Sequence, residues 1–318
     1  MNGSQSMMSP VGAASQSITT LAWIVFGVFI AVSVLMWVLI TWVAVRRRGT
    51  LNDAPPPESP GGQSWILVGG LMIPLVILTV LFILNLNVMA GFPIHSDSDP
   101  PPEIQVIGHQ WWWEVQYVAG PVSEHFSTAN EIHIPVGRDV DIGLTSTDVI
   151  HSFWIPRING KEDLVPGQPN MIRIRADQPG TYRGQCAEYC GAQHAHMIIL
   201  VVAQTPDEYD AWLAHQRLPA TEPSSDEAKQ GEQVFLTGAC ALCHAIRGTD
   251  AAGGIAPDLT HMASRQGLAA NTLANDTANL EAWVTHAQSL KPNVIMPNLT
   301  QYTGVQLRDL VAYLQQLN

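Results

Sequence analysis

Two long hydrophobic stretches without a charged residue lie near the start of the chain. The first runs from Ile18 to Val45 and the second from Trp65 to Ala90. About 20 apolar residues suffice to cross the hydrocarbon core of a bilayer, so both stretches are long enough to span one. Pro74 interrupts the second stretch, which membrane helices tolerate. The pattern predicts a transmembrane hairpin, with spans at about 18–45 and 65–90, in an N-terminal segment 1–91.

Basic residues indicate which way this hairpin points. Arg46, Arg47 and Arg48 follow the first stretch directly, and no charged residue precedes it. By the positive-inside rule, the loop 46–64 is cytoplasmic. The missing basic segment and the length of the stretch argue against a signal peptide. We therefore expect a multi-pass protein of a bacterial inner membrane, surrounded by lipid, with both termini and everything from about Phe92 onward on the periplasmic side.

The region 92–217 has the patterns of a strand-rich domain. Val140–Leu144 and Met171–Arg175 alternate apolar and polar residues, and His196–Val202 is a continuous apolar run, as a strand buried on both faces would be. Short strands separated by Pro and Gly turns predict a small sandwich or barrel. Thr205-Pro-Asp-Glu208 is a capping box with proline at the first helical position, which predicts a short helix to about Gln216.

The last part of the chain is expected to be a separate helical domain, residues 226–318. Prolines and serines mark 218–225 as an exposed linker in front of it. Helices are predicted from Asp226 to Thr237, from Asn279 to Gln288 and from Thr303 to Leu317, where apolar residues follow a helical period.

Charge excludes one class of partner. The 318-residue chain has a formal net charge of -12 and only 13% charged residues. A nucleic-acid binder that works through a basic surface is therefore excluded. Most of the acidity lies in residues 92–223, where 17 acidic and 7 basic residues give a net charge of -10. This acidity fits either ordinary solubility or a docking face for a basic partner.

A dense group of soft metal ligands lies in the middle region. It consists of Cys186, Cys190, His194 and Met197. Two thiolates, an imidazole and a thioether form a set that suits copper, with a disulfide or a zinc site as the alternatives. A second imidazole is needed, and His151 is the best candidate because it opens a strand-like stretch upstream. His196 would share a strand face with His194, but the turn after Cys190 leaves its geometry open.

The other two cysteines form a different motif. Cys240-Ala-Leu-Cys243-His244 is the C-x-x-C-H pattern of covalent c-type haem attachment, in which the histidine ligates the iron. A thioredoxin-like redox pair is the alternative, but that motif lacks the histidine and needs a βαβ context. A methionine as the sixth ligand would raise the haem potential. We expect Met296 in this role rather than Met262, which lies only 18 residues after His244.

These motifs resemble two known families. The pattern Cys-x-Glu-x-Cys-x3-His-x2-Met, with Asp-x-x-His upstream and the two-span hairpin, is similar to the binuclear copper centre (CuA) of cytochrome c oxidase subunit II, over about residues 15–216. Residues 226–318 resemble a class I cytochrome c. The resemblance implies a multidomain membrane protein with a two-helix transmembrane hairpin, an all-β cupredoxin domain and an all-α cytochrome c domain.

The resemblance also implies roles for individual residues. Two bridging thiolates would hold a pair of copper ions, with a histidine at each end, a weak axial methionine and one backbone carbonyl. These copper ligands would be His151, Cys186, Glu188, Cys190, His194 and Met197. Glu188 would also touch a magnesium ion at the interface with the large oxidase subunit, and Asp163 lies in a matching motif.

Two further residues take their expected roles from the same families. Trp111, in the run Trp111–Trp113, matches an exposed tryptophan through which electrons enter from the donor. Membrane-interface anchoring and core packing are the alternative for this run. In the haem domain, the carbonyl of Pro257 is expected to hold His244.

The implied function is electron input to a terminal respiratory oxidase. Electrons from cytochrome c or another periplasmic donor would pass through haem c and CuA to the large catalytic subunit, which reduces oxygen to water with the other oxidase subunits. Intact copper ligands exclude a quinol oxidase subunit. A nitric oxide reductase subunit remains an alternative, because related complexes use the same copper domain. A membrane-tethered copper chaperone also displays C-x3-C, but it needs neither a haem domain nor a second span.

Overall fold

The computed structural model describes residues 5–46, 61–92 and 100–318. The described residues within Gln16–Ile94 form one compact unit, and those within Met1–Ser15 and His95–Asn318 form the other. Most of the predicted cytoplasmic loop, including Arg47 and Arg48, lies outside the described residues.

Both hydrophobic stretches are helical, as predicted. α1 is Ala13–Arg46 and α2 is Gly62–Met89. Within α2, Ile66–Met72 is π-helical and lies directly before Pro74. Proline lacks an N–H group and its ring clashes with the carbonyl four residues earlier, so the backbone widens there. The large apolar side chains of both helices are exposed on all sides, which suits lipid or partner helices rather than water.

A β-sandwich opens the second unit after residue 100. Its strands are β1 (Ile104–His109), β2 (Trp112–Tyr117), β3 (Phe126–Ala129), β4 (Glu131–Pro135), β5 (Val140–Ser146), β6 (His151–Trp154), β7 (Lys161–Leu164), β8 (Asn170–Ile174), β9 (Gly180–Cys186) and β10 (Ile198–Gln204). They form two five-stranded sheets, of order β3-β2-β1-β5-β8 and β4-β10-β9-β6-β7. The core between the sheets includes the fully buried Trp113 and Phe153, which meet edge to face.

The end of the sandwich differs from the prediction in one place. The strand predicted from His196 begins at Ile198, because His194–His196 is a 3-10 turn. Side chains along β10 alternate between buried and half-buried, so the strand is not buried on both faces. The predicted helix follows as α3 (Pro206–Gln216), and the backbone N–H of Thr205 donates to Glu208 Oε2 at 3.0 Å.

Three helices form the C-terminal domain. They are α4 (Asp226–Thr237), α5 (Thr277–Leu290) and α6 (Gly304–Leu314). The predicted bounds of α4 agree with the structure. The predicted α6 extends three residues too far at its C-terminal end. A two-stranded hairpin, β11 (Gly267–Leu268) and β12 (Leu273–Ala274), is an addition that periodicity did not indicate.

The connection between sandwich and helical domain is exposed for most of its length but is tied to the helical domain. The backbone N–H of Ala220 donates to Arg247 O at 2.9 Å, and His261 Nε2 lies 3.1 Å from Leu218 O. These bonds restrict the connection, which therefore does not behave as a free tether over residues 218–220.

A close contact between α4 and α6 gives a test of this packing. A Cβ added at Gly231 would overlap the backbone carbonyl of Asp309 on α6. We expect Gly231→Ala to lower the unfolding free energy of the helical domain by about 1–3 kcal/mol, because the helices would have to separate. Calorimetry of the detergent-solubilised chain measures this. Gly304→Ala is the control, since Gly304 is exposed and has room for a methyl group; an equal loss in both variants would contradict the contact.

Candidate copper centre and haem cavity

The strand pairing brings the predicted copper residues together. His151 opens β6, and Cys186 ends β9. β6 and β9 are antiparallel neighbours with Phe153 opposite Cys186, which places His151 beside the end of β9. The turn between β9 and β10 then carries Cys190, His194 and Met197 back over the same end of the sheet.

The distances define a compact group of nitrogen and sulfur atoms. The two thiols lie 3.7 Å apart, far beyond the roughly 2.05 Å of a disulfide, so the Cys186–Cys190 disulfide alternative does not describe this pair. Cys186 Sγ is 3.8 Å from His151 Nδ1, and Cys190 Sγ is 3.6 Å from His194 Nδ1. Met197 Sδ lies 3.9 Å from Cys190 Sγ. One thiol therefore faces each imidazole, with the thioether to one side.

The side chains of two nearby residues, His196 and Glu188, point away from the sulfur atoms. His196 is exposed, and its Nδ1 pairs with Gln193 Oε1 at 2.7 Å rather than with a sulfur atom. Glu188 presents its backbone carbonyl to Cys186 Sγ at 3.1 Å, while its carboxylate is exposed beside Lys161 Nζ at 3.3 Å. The carbonyl of Glu188 thus belongs to the sulfur group, and its carboxylate points elsewhere.

A carboxylate orients the buried imidazole. Asp148 Oδ1 lies 2.9 Å from His151 Nε2, and its two oxygens also accept from the backbone N–H groups of Val149 and Gln110. Burial raises the pKa of Asp148, but the bond from His151 and the two backbone bonds outweigh it, so the pKa lies below its usual value. With Nε2 engaged, His151 turns Nδ1 toward Cys186, as second-shell carboxylates do for metal ligands.

The two thiols influence each other's ionisation. The hydrogen bond with Cys190, followed by that with His151, lowers the pKa of Cys186, so this sulfur carries the first negative charge. The same hydrogen bond, burial and the charge on Cys186 raise the pKa of the Cys190 thiol. A cation placed between the sulfurs would remove this conflict, because metal binding favours deprotonated thiolates. The donor set is soft and buried, which fits copper.

The haem-attachment motif lies on one wall of an apolar cavity. Cys240 begins a 3-10 turn, Cys240–Leu242, and both Cys243 and His244 line the cavity. His244 Nδ1 donates to Pro257 O at 2.7 Å, the contact expected from the sequence. Burial lowers the pKa of His244, so the ring is neutral, with its proton on Nδ1. Its Nε2 is left free to ligate an iron atom.

Two methionines line this cavity, Met296 and Met262. Met262 is buried on a 3-10 turn, and Met296 lies in the loop after α5. Gln288 shapes that loop, because its Nε2 donates to Val294 O at 2.6 Å and to Met296 O at 2.7 Å. The preference for Met296 as the sixth ligand stays a prediction.

An unpaired guanidinium nitrogen tests whether the cavity fits a haem. Arg265 lines the cavity, and its buried Nε has no hydrogen-bond partner among the described residues. A buried charged donor without a partner is costly. A haem carries two propionate carboxylates, so it would supply the missing acceptor while filling an otherwise apolar space. The residues present therefore fit the group.

Trp111 lies between the two sites. The resemblance implied an exposed tryptophan, but Trp111 is 7% exposed, so that expectation is wrong for this chain. Its indole Nε1 donates to the backbone carbonyl of Cys190 at 3.0 Å, and the ring also lines the haem cavity. The helical domain therefore covers this side chain.

The fold and both sites define a membrane-anchored electron-transfer protein, and comparisons with known proteins give its family. The chain matches "Cytochrome C oxidase subunit II, periplasmic domain" over residues 118–204 and "Cytochrome c" over residues 228–318. Cytochrome c oxidase subunit 2 of Alkalihalophilus pseudofirmus is 36% identical over 90% of this chain and 83% of its own length. The chain therefore belongs to the cytochrome c oxidase subunit 2 family. It is a subunit of a haem–copper terminal oxidase, an oxidoreductase complex.

Two more distant matches accompany this relative. Quinol oxidase subunit 2 of Bacillus cereus is 28% identical over 71% of this chain and 76% of its own length. The periplasmic domain of subunit II of cytochrome oxidase of Bradyrhizobium japonicum is 29% identical, with a TM-score of 0.34, over 37% of this chain and 96% of that structure. The predicted fold class is confirmed: two apolar helices, a cupredoxin-like sandwich and a helical cytochrome c domain.

Sequence reasoning missed three residues that shape the sites. Asp148 was visible only as part of the Asp-x-x-His pattern, and its position three residues before His151 is the signal of an orienting carboxylate. Gln110 donates from Nε2 to Cys190 O at 2.7 Å. Arg265 has no sequence signal, because a single arginine in a loop is usually exposed.

The sulfur geometry gives a test of the copper assignment. Cys186→Ser should abolish the mixed-valence copper signal while leaving haem content unchanged, because it removes one of the two thiolates that would hold the copper pair. Electron paramagnetic resonance and the optical spectrum of the purified complex measure the two sites separately. His196→Gln is the control and should keep the copper signal, whereas His194→Gln should lose it. Loss of the signal in His196→Gln with retention in His194→Gln would reverse the ligand assignment.

Proposed function

We propose that this chain receives the electrons of a terminal respiratory oxidase and passes them, through its haem domain and then its copper domain, to the large catalytic subunit that reduces oxygen to water. Cytochrome c or another periplasmic donor would deliver them. A haem iron and a copper pair each take up and release one electron when bound. Cys240 and Cys243 would attach the haem, and His244 and Met296 would ligate its iron.

One observation supports this proposal most strongly. The ring of Trp111 lines the haem cavity, and its Nε1 donates a hydrogen bond to the backbone carbonyl of Cys190, a residue whose thiol would hold copper. The protein thus places a conjugated ring between the cavity and the sulfur cluster. In this chain Trp111 would accept electrons from the fused haem domain rather than from an external donor.

The copper residues are suited to a change of one electron with little movement. His151, Cys186, Cys190, His194, Met197 and the carbonyl of Glu188 would hold the pair. They stand on strand ends and a short turn, and most are buried. Asp148 keeps His151 in one orientation, so the ligand set would stay in place whether the site is oxidised or reduced. Magnesium at Glu188 remains part of the proposal, with its other ligands expected from the large subunit.

The chain is also proposed to cross the membrane twice, with lipid around both helices and both termini in the periplasm. Residues just before the first helix and in its first turn pack on the sandwich: the N–H of Val11 donates to Arg157 O at 2.8 Å, and Ser15 Oγ donates to the same oxygen at 2.6 Å. The start of α1 and the copper domain therefore belong on the same side. This requires an even number of crossings, and two apolar helices supply it.

Protease accessibility tests this topology. Protease added to right-side-out vesicles should cleave the haem domain from the rest of the chain by cutting within 219–225, where most side chains are exposed. Release is read as a separate haem-bearing fragment on a denaturing gel, because the cut domain can stay docked on the copper domain. The same protease added to inside-out vesicles should leave the haem domain attached and cut between the two spans instead. Release of the haem domain only from inside-out vesicles would reverse the orientation.

Removing the expected iron ligand tests whether electrons pass through the haem domain before they reach the copper domain. Met296→Leu should lower the haem potential by removing its thioether, and should reduce turnover with the natural donor by about tenfold or more. A small reductant that reaches copper directly should support much more of the original turnover, because the copper residues are unaltered. Equal loss by both routes would show that the haem domain is not an obligatory relay. Met262→Leu is the matched control and should retain activity.

A further inference from the structure

Lys291 is the one lysine in the described residues that is buried. Only 2% of it is exposed. It lies directly after α5, between the haem domain and the sandwich. Its ammonium donates to three backbone carbonyls: Trp111 O at 2.9 Å, His196 O at 2.8 Å and Ala269 O at 2.8 Å. Two of these acceptors belong to the copper domain and the third belongs to the haem domain.

The three acceptors match the three protons of an ammonium group. A neutral amine has only two N–H donors, so the third carbonyl would face a lone pair. Burial lowers the pKa of Lys291 to about 7, which reflects the desolvation that the carbonyls must offset. A buried cation is tolerated only where its donors are satisfied. This arrangement exists only while the two domains are in contact, because neither domain supplies all three carbonyls.

The loop that provides Ala269 is shaped for the same contact. Ala269, Ala270 and Asn271 have φ of 53°, 56° and 56°, a left-handed conformation that alanine rarely adopts. Bonds to the copper domain hold it: Ile198 N donates to Ala270 O at 3.3 Å, and Asn271 Nδ2 donates to Asn130 O at 2.8 Å. Ala270 and Asn271 of this left-handed loop bond across the interface, which indicates that the loop takes part in docking.

Lys291 also lies close in sequence to the proposed iron ligand. The next residue, Pro292, accepts from Gln193 Nε2 of the copper domain at 2.9 Å. Val294, two residues further, packs against the core of the sandwich. The loop that carries Met296 therefore starts from a segment anchored on the copper domain. Lys291 anchors that segment to the backbone carbonyl of Trp111, whose ring lines the haem cavity.

We propose that Lys291 is a positioning residue that locks the haem domain onto the copper domain with the haem cavity facing Trp111. Together with the left-handed loop 269–271 it forms an interdomain latch. The kinetic part of this proposal rests on the proposed function, whereas the docking part does not. The latch makes haem and copper domains a single electron-transfer unit instead of two domains joined by a tether.

The test compares Lys291→Met with Lys229→Met in the intact, metal-loaded complex. Methionine keeps the length and apolar stem of Lys291 but removes all three donors, and Lys229 is an exposed lysine of the same domain. Hydrogen exchange should rise about tenfold or more at two amides that bond across the interface. These are the amide of Ile198, which donates to Ala270 O, and the amide of Gln266, which donates to Glu131 Oε2. The amide of Gly253, bonded within the haem domain, should stay protected.

Photoreduction of the haem then measures electron delivery to copper. Lys291→Met should slow this step by about tenfold to a hundredfold, because a misplacement of about 1 Å can cost that much. The haem potential and both spectra should be unchanged, which a general structural defect would not allow. Lys229→Met should behave as the unaltered protein in every measurement.

The outcomes separate the latch from the proposed function. Unchanged exchange in Lys291→Met overturns the latch, and raised exchange with unchanged delivery overturns its positioning role. If the unaltered protein shows no haem-to-copper transfer, the proposed function fails, and the exchange data alone then decide the docking. If Lys291→Met does not fold, Asn271→Gly replaces it, since glycine keeps the left-handed backbone and loses the bond to Asn130 O. The same two readouts then support or overturn the latch.

Discussion

The carbonyl oxygen of Cys190 accepts two hydrogen bonds, from Gln110 Nε2 at 2.7 Å and from Trp111 Nε1 at 3.0 Å. It belongs to the turn that carries the second thiol, so the turn is tied to the β1–β2 connection on the opposite sheet. If this carbonyl moved, Cys190 Sγ would move with it, and the match between two thiols and two imidazoles would be lost. The same bonds place the indole of Trp111 where the haem domain can cover it.

The ligand group is therefore held by its surroundings more than by its own contacts. Cys186 is fixed by the β9 ladder and His151 by β6 and Asp148. Cys190, His194 and Met197 stand on the turn between β9 and β10. The bonds from Gln110 and Trp111 hold this turn at the carbonyl of Cys190, and His194 is half-buried. Because protein interiors are close-packed, a rigid frame of this kind resists the rearrangement that a change of charge would otherwise cause.

Local motifs could be predicted from the sequence, and long-range contacts could not. C-x3-C with His194 and Met197, and C-x-x-C-H, are short patterns whose spacing alone restricts the geometry. The partner His151 was found through its strand context, although 35 residues separate it from Cys186. The start of β10 was misplaced because an apolar run does not reveal a 3-10 turn. The exposure of the Trp111 ring depends on a domain that begins at Asp226, far along the chain.

Residues that act between domains leave the weakest sequence signal. Lys291 stands before a proline at a helix end, where an exposed lysine is the ordinary expectation. The left-handed loop at Ala269 and Ala270 contains no glycine, so turn chemistry did not indicate it. Both features have meaning only after two domains have folded and docked. Their burial and their carbonyl partners, rather than their residue types, identify them.

A flexible tether and a docked interface predict different kinetics for an internal donor. A short flexible linker gives an effective concentration of about millimolar, and each electron transfer would still await an encounter in the right orientation. Here, the connection is bonded to the haem domain at residues 218–220, and the interface is held by bonds to backbone carbonyls. With Trp111 covered, an external donor would meet the surface of the haem domain, and the acidic copper domain would serve as the acceptor behind it. In the proposed function, the docking of the two domains would then set the rate of the internal step, because the distance and orientation between cavity and sulfur cluster no longer depend on diffusion.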